Sequence, residues 1–222
     1  MKTPLILIAI VALALAASFL FAPPPNPEMV KTRTDLPWQI EVHPDGGSRV
    51  FDLELGSATL QNAIDKFGEA EGVAVFQHSK DDKLDLEVYF GKVSFGPLTA
   101  RVVVKLAADE AEKRNLAEHA KKRDSSPTGD WKFPLRRDLI GQLTGRRIIA
   151  ISYVPGTRGL DQAFFLERFG APAAQLAENE DARSWFYPKK GLSILIDDKG
   201  PEVLEYVAPR DFRMPPDAKP YP

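Results

Sequence analysis

The sequence predicts an α+β fold made of two tandem helix-plus-antiparallel-sheet units behind an N-terminal transmembrane or signal segment. Three observations lead there. Residues 4–22 form an uncharged, almost wholly apolar run. Residues 57–106 read as a capped amphipathic helix ending in Phe-Gly, followed by alternating strands. Residues 159–209 repeat that order. The divisions read from the chain are 1–22 (membrane anchor or signal segment), 23–36 (proline-rich linker), 37–123 (first α/β unit), 124–134 (linker), 135–209 (second α/β unit) and 210–222 (tail).

The apolar run spans nineteen residues, close to the roughly 20 that cross a hydrocarbon core as a helix. A cleaved secretory signal has a shorter apolar core, about 7–15 residues, before a small-x-small site. Here the small-x-small triplets, such as Ala12-Leu13-Ala14, fall inside the run, and Pro23 follows it directly. This favours an uncleaved anchor, with cleavage and release as the alternative. Residues 22–27 (APPPNP) then form a stiff spacer, because proline fixes φ and removes a backbone donor.

The remainder has ordinary globular composition: the whole chain is 44% hydrophobic and 27% charged, with a formal charge of −2. Such a balance creates no strong field toward nucleic acid. The absence of cysteine removes disulfides, thiolate metal sites, a cysteine nucleophile and lipid attachment through a lipobox cysteine.

In the first unit, residues 38–43 (WQIEVH) and 49–55 (RVFDLEL) alternate as strands around the turn Pro44-Asp45-Gly46-Gly47. Thr59 caps a helix with Leu60, Ala63, Ile64 and Phe67 on one face, and Gly68 stops it. Strands are expected at 73–76, 84–90 and 98–106. In residues 84–90, Leu84, Leu86, Val88 and Phe90 oppose Asp85, Glu87 and Tyr89. Residues 107–123 form a helix, acidic at its start and basic at its end, whose thin apolar stripe is interrupted by Lys113. Most of it is expected to be solvated. Residues 124–130, polar and rich in turn formers, are the natural boundary. A short helix at 135–143 and a central strand at 147–154 (RIIAISYV) open the second unit, and the tail is expected to run over the surface with its last residues disordered.

Laid on each other, Ile64-Asp65-Lys66-Phe67-Gly68 matches Leu166-Glu167-Arg168-Phe169-Gly170, and the caps Thr59 and Asp161 coincide. The second copy carries Gly159-x-Asp161-x-x-x-Phe165-x-x-x-Phe169-Gly170-x-Pro172. This pattern resembles the helix signature of the SmpA/OmlA envelope lipoproteins, which include the small lipoprotein of the outer-membrane β-barrel assembly machinery. It is also similar in arrangement to the β-lactamase inhibitor protein, with its tandem helix-plus-sheet units. In the first copy Ser57 and Ala70 replace the opening glycine and the proline, and the lipidated cysteine of those lipoproteins is missing. The resemblance implies a cell-envelope protein that binds other proteins and does no chemistry.

The residues themselves nominate no catalytic, cofactor-binding or metal-ligating set. His43, His78 and His119 fall on three different elements, and no HExxH, GxSxG, Walker or GxGxxG pattern occurs. Asp81-Asp82 and Asp197-Asp198 read as hairpin turns. Among the adjacent aromatics Trp185, Phe186 and Tyr187, alternation sends Phe186 to one face and its neighbours to the other. Either Phe186 alone or Trp185 with Tyr187 faces outward, and Trp185 and Tyr187 are the candidate partner-binding residues. The expected function is a non-catalytic, membrane-anchored periplasmic protein-binding or envelope-assembly module. It would cross the inner membrane once through residues 4–22, have envelope proteins as partners, and use neither nucleic acid nor cofactor. An inhibitor-like binder of an envelope enzyme, and an envelope enzyme with a site of scattered residues, are the alternatives.

Overall fold

A computed structural model describes residues 33–79, 82–120, 122–125, 129–157 and 159–222. The apolar run 4–22 lies outside the described residues. Among the described residues, no helix is long and apolar enough to cross a membrane.

The chain enters through a small antiparallel meander of β1 (Glu41–Val42), β2 (Ser48–Val50) and β3 (Leu53–Leu55). The first turn uses Gly46 at φ 80°. The second is tighter and was not legible: residues 49–55 are not one strand. Val50 pairs with Leu53, and the two-residue turn between them puts Phe51 and Asp52 at φ 54° and 61°. Such turns normally carry Asn-Gly, because side chains resist positive φ. Here the ring offsets the strain. Phe51 is fully buried, stacked on Tyr153 at 5.5 Å and edge-on to Phe67 and Tyr206.

Helix α1 (Leu60–Phe67) forms as its cap predicts. Thr59 and Asn62 make a reciprocal capping box, and Gly68 ends the helix at φ 94°. Lys66 on its last turn reaches Asp35 at 2.9 Å and Asp52 at 2.6 Å, tying the helix to the entering chain. Strands β4 (Gly72–Gln77), β5 (Leu84–Phe95) and β6 (Leu98–Leu106) follow as an antiparallel meander. Helix α2 (Glu110–Glu118) is capped by Asp109. Lys113, the apparent interruption of its stripe, is its buried residue: the ammonium donates to the Leu84 carbonyl at 2.6 Å and pairs with Glu110.

The expected boundary around residue 124 is built into the fold as β7 (Asp124–Ser125) and β8 (Trp131–Pro134), which extend the sheet beyond β4. Helix α3 (Leu139–Leu143), β9 (Ile148–Pro155) and helix α4 (Gln162–Phe169) come next. Asp161 caps α4, and Gly170 ends it at φ 78°. Strands β10 (Ala174–Ala177), β11 (Ala182–Tyr187), β12 (Leu192–Asp197) and β13 (Val203–Val207) complete the second run. Between β11 and β12, Gly191 sits at φ 64°, where a Cβ would meet the Val207 carbonyl oxygen at 2.0 Å, so only glycine fits. The tail does not simply run over the surface. It forms β14 (Lys219–Pro220) against β10, and Tyr221 packs edge-on to Trp185 at 5.4 Å.

These strands correct the expected fold class. There are not two helix-plus-sheet units. The protein is mostly antiparallel β, with one eleven-stranded sheet in the order β14-β10-β11-β12-β13-β9-β6-β5-β4-β8-β7, the small meander, and four short helices among the described residues. The reason is the pairing of β6 with β9, from Ala100 opposite Pro155 to Leu106 opposite Ile148. A repeated pattern does not say which strand edges stay free. Two apolar strands with open backbone edges satisfy them on each other.

One side of the sheet carries the core. Leu86, Val88, Val102, Val104, Ile151, Ile194 and Leu204 point toward the meander and the helices. Tyr206 is buried there and donates its hydroxyl to the Pro37 carbonyl at 2.8 Å. Burial drives its pKa well above the ordinary value.

Candidate functional site

Alternation gives the other side of the sheet a different chemistry. Register places Tyr89, Val103, Ser152, Glu205, Ser193, Phe186 and Ala174 in one row across seven strands. Ala74, Glu87, Lys105, Ala150 and Val207 form the neighbouring row. Val103, Ser152, Val154, Leu195, Val203 and Val207 are each partly exposed. The buried apolar residues of α1, α3 and α4 all belong to the core on the opposite side. This face mixes partly exposed aliphatic and charged side chains with Ala74, Ala150, Ala174 and Phe186, which their neighbours bury.

At its centre lies an ionic cluster. The Lys105 ammonium sits 2.8 Å from Glu205 Oε1 and 3.1 Å from Asp85 Oδ2. His78 Nε2 lies 2.9 Å from the same Asp85 oxygen, and His78 Nδ1 lies 3.6 Å from Asp130. Burial opposes charge on Lys105, but the facing carboxylates of Glu205 and Asp85 outweigh it and raise its pKa. Burial likewise pushes the Asp85 carboxyl up, yet Lys105 and the His78 hydrogen bond outweigh it and hold the carboxyl below its ordinary value.

Glu87 is the exception. Burial raises its pKa from the ordinary 4.5 to about 7, with Asp85 and Glu205 adding to the rise while Lys105 and His78 only moderate it. Glu87 lines a cavity of about 350 Å³ together with apolar Val103, Pro134 and Leu135, the rings of Phe76 and Tyr89, and the charged Glu71, Lys132 and Arg137. No serine or threonine lines this cavity. Among the described residues, no group of three or more histidine, cysteine, aspartate or glutamate residues is arranged to hold a metal ion. What the site offers chemically is a carboxyl that changes protonation near neutral pH inside a partly apolar recess.

This perturbation has a measurable consequence. A raised carboxyl pKa favours the neutral form in the fold. Its stabilising effect is full below pH 4.5 and is lost as pH rises through about 7. Glu87→Gln stays neutral throughout. It is expected to match the parent at pH 4 and to exceed it by up to about 3 kcal/mol at pH 8, read by urea titration at both pH values.

The residues expected to bind a partner lie elsewhere. Trp185 and Tyr187 are buried on the core side, 0% and 4% exposed. Trp185 packs on Tyr221, and the Tyr187 hydroxyl donates to the Gly170 carbonyl at 3.1 Å. Burial, with Tyr221 nearby, raises the Tyr187 pKa. Of the three aromatics, Phe186 is the one on the open-face side of its strand, where its neighbours leave it 5% exposed. The three histidines remain apart: His43 meets Glu54 at 2.9 Å, His119 meets the Asn115 carbonyl at 2.8 Å, and His78 alone joins the cluster. The outward position of Asp85, Glu87 and Tyr89 was readable from alternation. Their meeting with Lys105 and Glu205 was not, because these residues come from separate strands and share no spacing.

Comparison with protein-family models, with curated proteins and with solved structures finds no match to this chain.

Proposed function

We propose that this protein is a non-catalytic binding module that engages another protein through the open face of its large sheet. The observation that carries this reading is the asymmetry of the sheet. One face is buried under helices and the meander, while the other presents partly exposed Val103, Val154, Val203 and Leu195 around an ionic cluster. A surface that combines apolar patches with fixed charges supplies both contact area and register for a partner. The apolar run 4–22 and the resemblance to envelope proteins support placing the module at a cell-envelope membrane, with the partner an assembly component or an enzyme that the module inhibits.

A photo-crosslinking amino acid at Val154 or Leu195 is expected to capture one discrete partner in the native membrane. The same group at Gln61, exposed on α1, is expected to capture none. Equal labelling from both faces, or none from either, overturns the reading.

A further inference from the structure

One end of the large sheet is closed by the chain's own C-terminus. We propose that residues 219–222 guard the edge of β10 against self-association, and that β10, once uncovered, pairs antiparallel with β10 of a second copy of this chain.

An edge strand presents a row of unpaired N–H and C=O groups, a template for any extended chain. β10 would be such a strand, because β11 occupies only one of its sides. The tail occupies the other. β14 puts Pro220 opposite Ala174 and Lys219 opposite Gln175, and the Tyr221 N–H donates to the Ala173 carbonyl at 3.3 Å. Three features of this cover discourage the addition of a further strand. β14 is only two residues long, it carries a lysine, and its proline has no N–H to donate outward.

The cover is partial. Before Lys219 the tail leaves the edge in a turn, where the Ala218 N–H donates to the Pro215 carbonyl at 3.1 Å. Among the described residues, no strand lies beside Leu176 and Ala177 on that side. A recess of about 530 Å³ runs there, lined also by Asp217 and Lys219. Backbone direction makes Ala177 the group that faces outward. The Glu178 N–H donates to the Ala182 carbonyl on β11, so alternation turns the Ala177 N–H and C=O away from β11.

The cover is also lightly held. It rests on two ladder pairs and on Tyr221, whose ring packs edge-on to Trp185 at 5.4 Å. Trp185 is fully buried there, yet its indole N–H has no hydrogen-bond partner. An unmet buried donor disfavours the seated arrangement.

A second copy fits the uncovered edge. Antiparallel pairing is symmetric, so two identical strands related by a two-fold axis match donor to acceptor along their length. Ala174, Gln175, Leu176 and Ala177 carry no charge, so two such edges meet without like-charge repulsion. The neighbouring pairs β10–β11 and β11–β12 are antiparallel already, and the added pair would continue their pattern.

Sedimentation equilibrium in density-matched micelles tests this, because any association through residues 4–22 is then common to every sample. Two variants uncover the edge: full-length Tyr221→Ala, which takes the ring off Trp185, and the chain ending at Ala218. A third change, Ala177→Pro, removes the outward N–H and leaves the β11 side of the ladder intact. The chain ending at Ala218 is expected to self-associate at least about tenfold more tightly than the parent, and Tyr221→Ala to move in the same direction. Adding Ala177→Pro to either is expected to return self-association to the parent's level. In the associated form the Ala177 amide is expected to exchange with solvent about tenfold more slowly than in a dilute sample. Uncovered chains that associate no more tightly than the parent overturn the proposal. So does association that Ala177→Pro leaves unchanged, because aggregation of an unfolded chain does not depend on that one donor. Ala177→Pro alone is expected to leave the amide spectrum of the sheet as in the parent. If it does not, the exchange rate decides, and an Ala177 amide that is not slowed in the associated chain overturns the proposal.

Discussion

Replacing Lys105 by methionine is expected to lower the unfolding free energy at pH 7 by about 3 kcal/mol, the lower end of the range for breaking a buried ion pair. Methionine keeps most of the stem and removes the charge. Asp85 and Glu205, which share the ammonium at 3.1 and 2.8 Å, are then left facing Glu87 with only the His78 imidazole beside Asp85. The lower end applies because the Lys105 side chain is 19% exposed and water reaches the cluster. The sign with pH is specific. Without Lys105 the carboxyl pKa values rise in the folded state, and a raised pKa gives stability at low pH that is lost as pH increases. The deficit of the variant is therefore expected to shrink toward pH 4. The double variant Lys105→Met with Asp85→Asn is expected to lose less than the two single losses combined, because the groups share one network. Urea titrations at pH 4 and 7 read both effects. A deficit that does not change with pH would assign the loss to packing instead.

Phe51→Ala is expected to cost about 3–5 kcal/mol, the usual range for emptying a buried aromatic site. The ring contacts Phe67, Phe95, Tyr153 and Tyr206, with centroid distances from 5.1 to 6.1 Å. It joins the meander to both halves of the sheet, because Phe95 lies on β5 and Tyr206 on β13. The positive φ of Phe51 adds a second test. Phe51→Gly removes the same ring but tolerates φ 54° without strain. It is expected to be about 1 kcal/mol less destabilised than Phe51→Ala, the reverse of the usual order for a backbone site in ordered structure. Thermal or urea melts of the two variants side by side decide this. If the alanine variant is the more stable, the turn carries no strain that burial must offset.

Local chemistry carried most of what was legible. Thr59 and Asp161 cap the helices assigned to them, Gly68 and Gly170 end those helices at positive φ, and β6 has the bounds that its apolar run indicates. These features depend on residues within a turn or strand of one another. What failed depended on distant pairing. The union of β6 with β9 joins residues nearly fifty positions apart, and no local pattern encodes it. The alternation of Phe51 with Leu53 and Leu55 is also what a buried turn residue produces, so the turn at Phe51 and Asp52 leaves no local signature. Residue type marks Trp185 and Tyr187 as candidate anchors, but it does not say which side of a strand is covered, and both side chains are buried on the core side. The core takes Trp185 and Tyr187, while Phe186 lies on the other side of the strand and is buried there as well. Glu87 was visible only as an outward strand residue. Its altered acidity comes from depth and from neighbours on other strands.

The pairing of Leu106 with Ile148 has a consequence for how this surface can diversify. These residues face each other across adjacent antiparallel strands, so a tight turn would suffice to connect them. The chain instead makes an excursion of 41 residues, 107–147. That excursion supplies Lys132, Pro134, Leu135 and Arg137, one whole side of the Glu87 cavity. The excursion also adds β7 and β8 to the edge of the sheet and Leu143 to the core, so it is tied to the fold at several points. Substitutions at Lys132, Leu135 and Arg137 can reshape the recess and its charges without touching the pairing of β5, β6 and β9. The fold thus closes the recess beside Glu87 with side chains from a segment that lies between, and not within, the strands carrying Glu87 and Lys105.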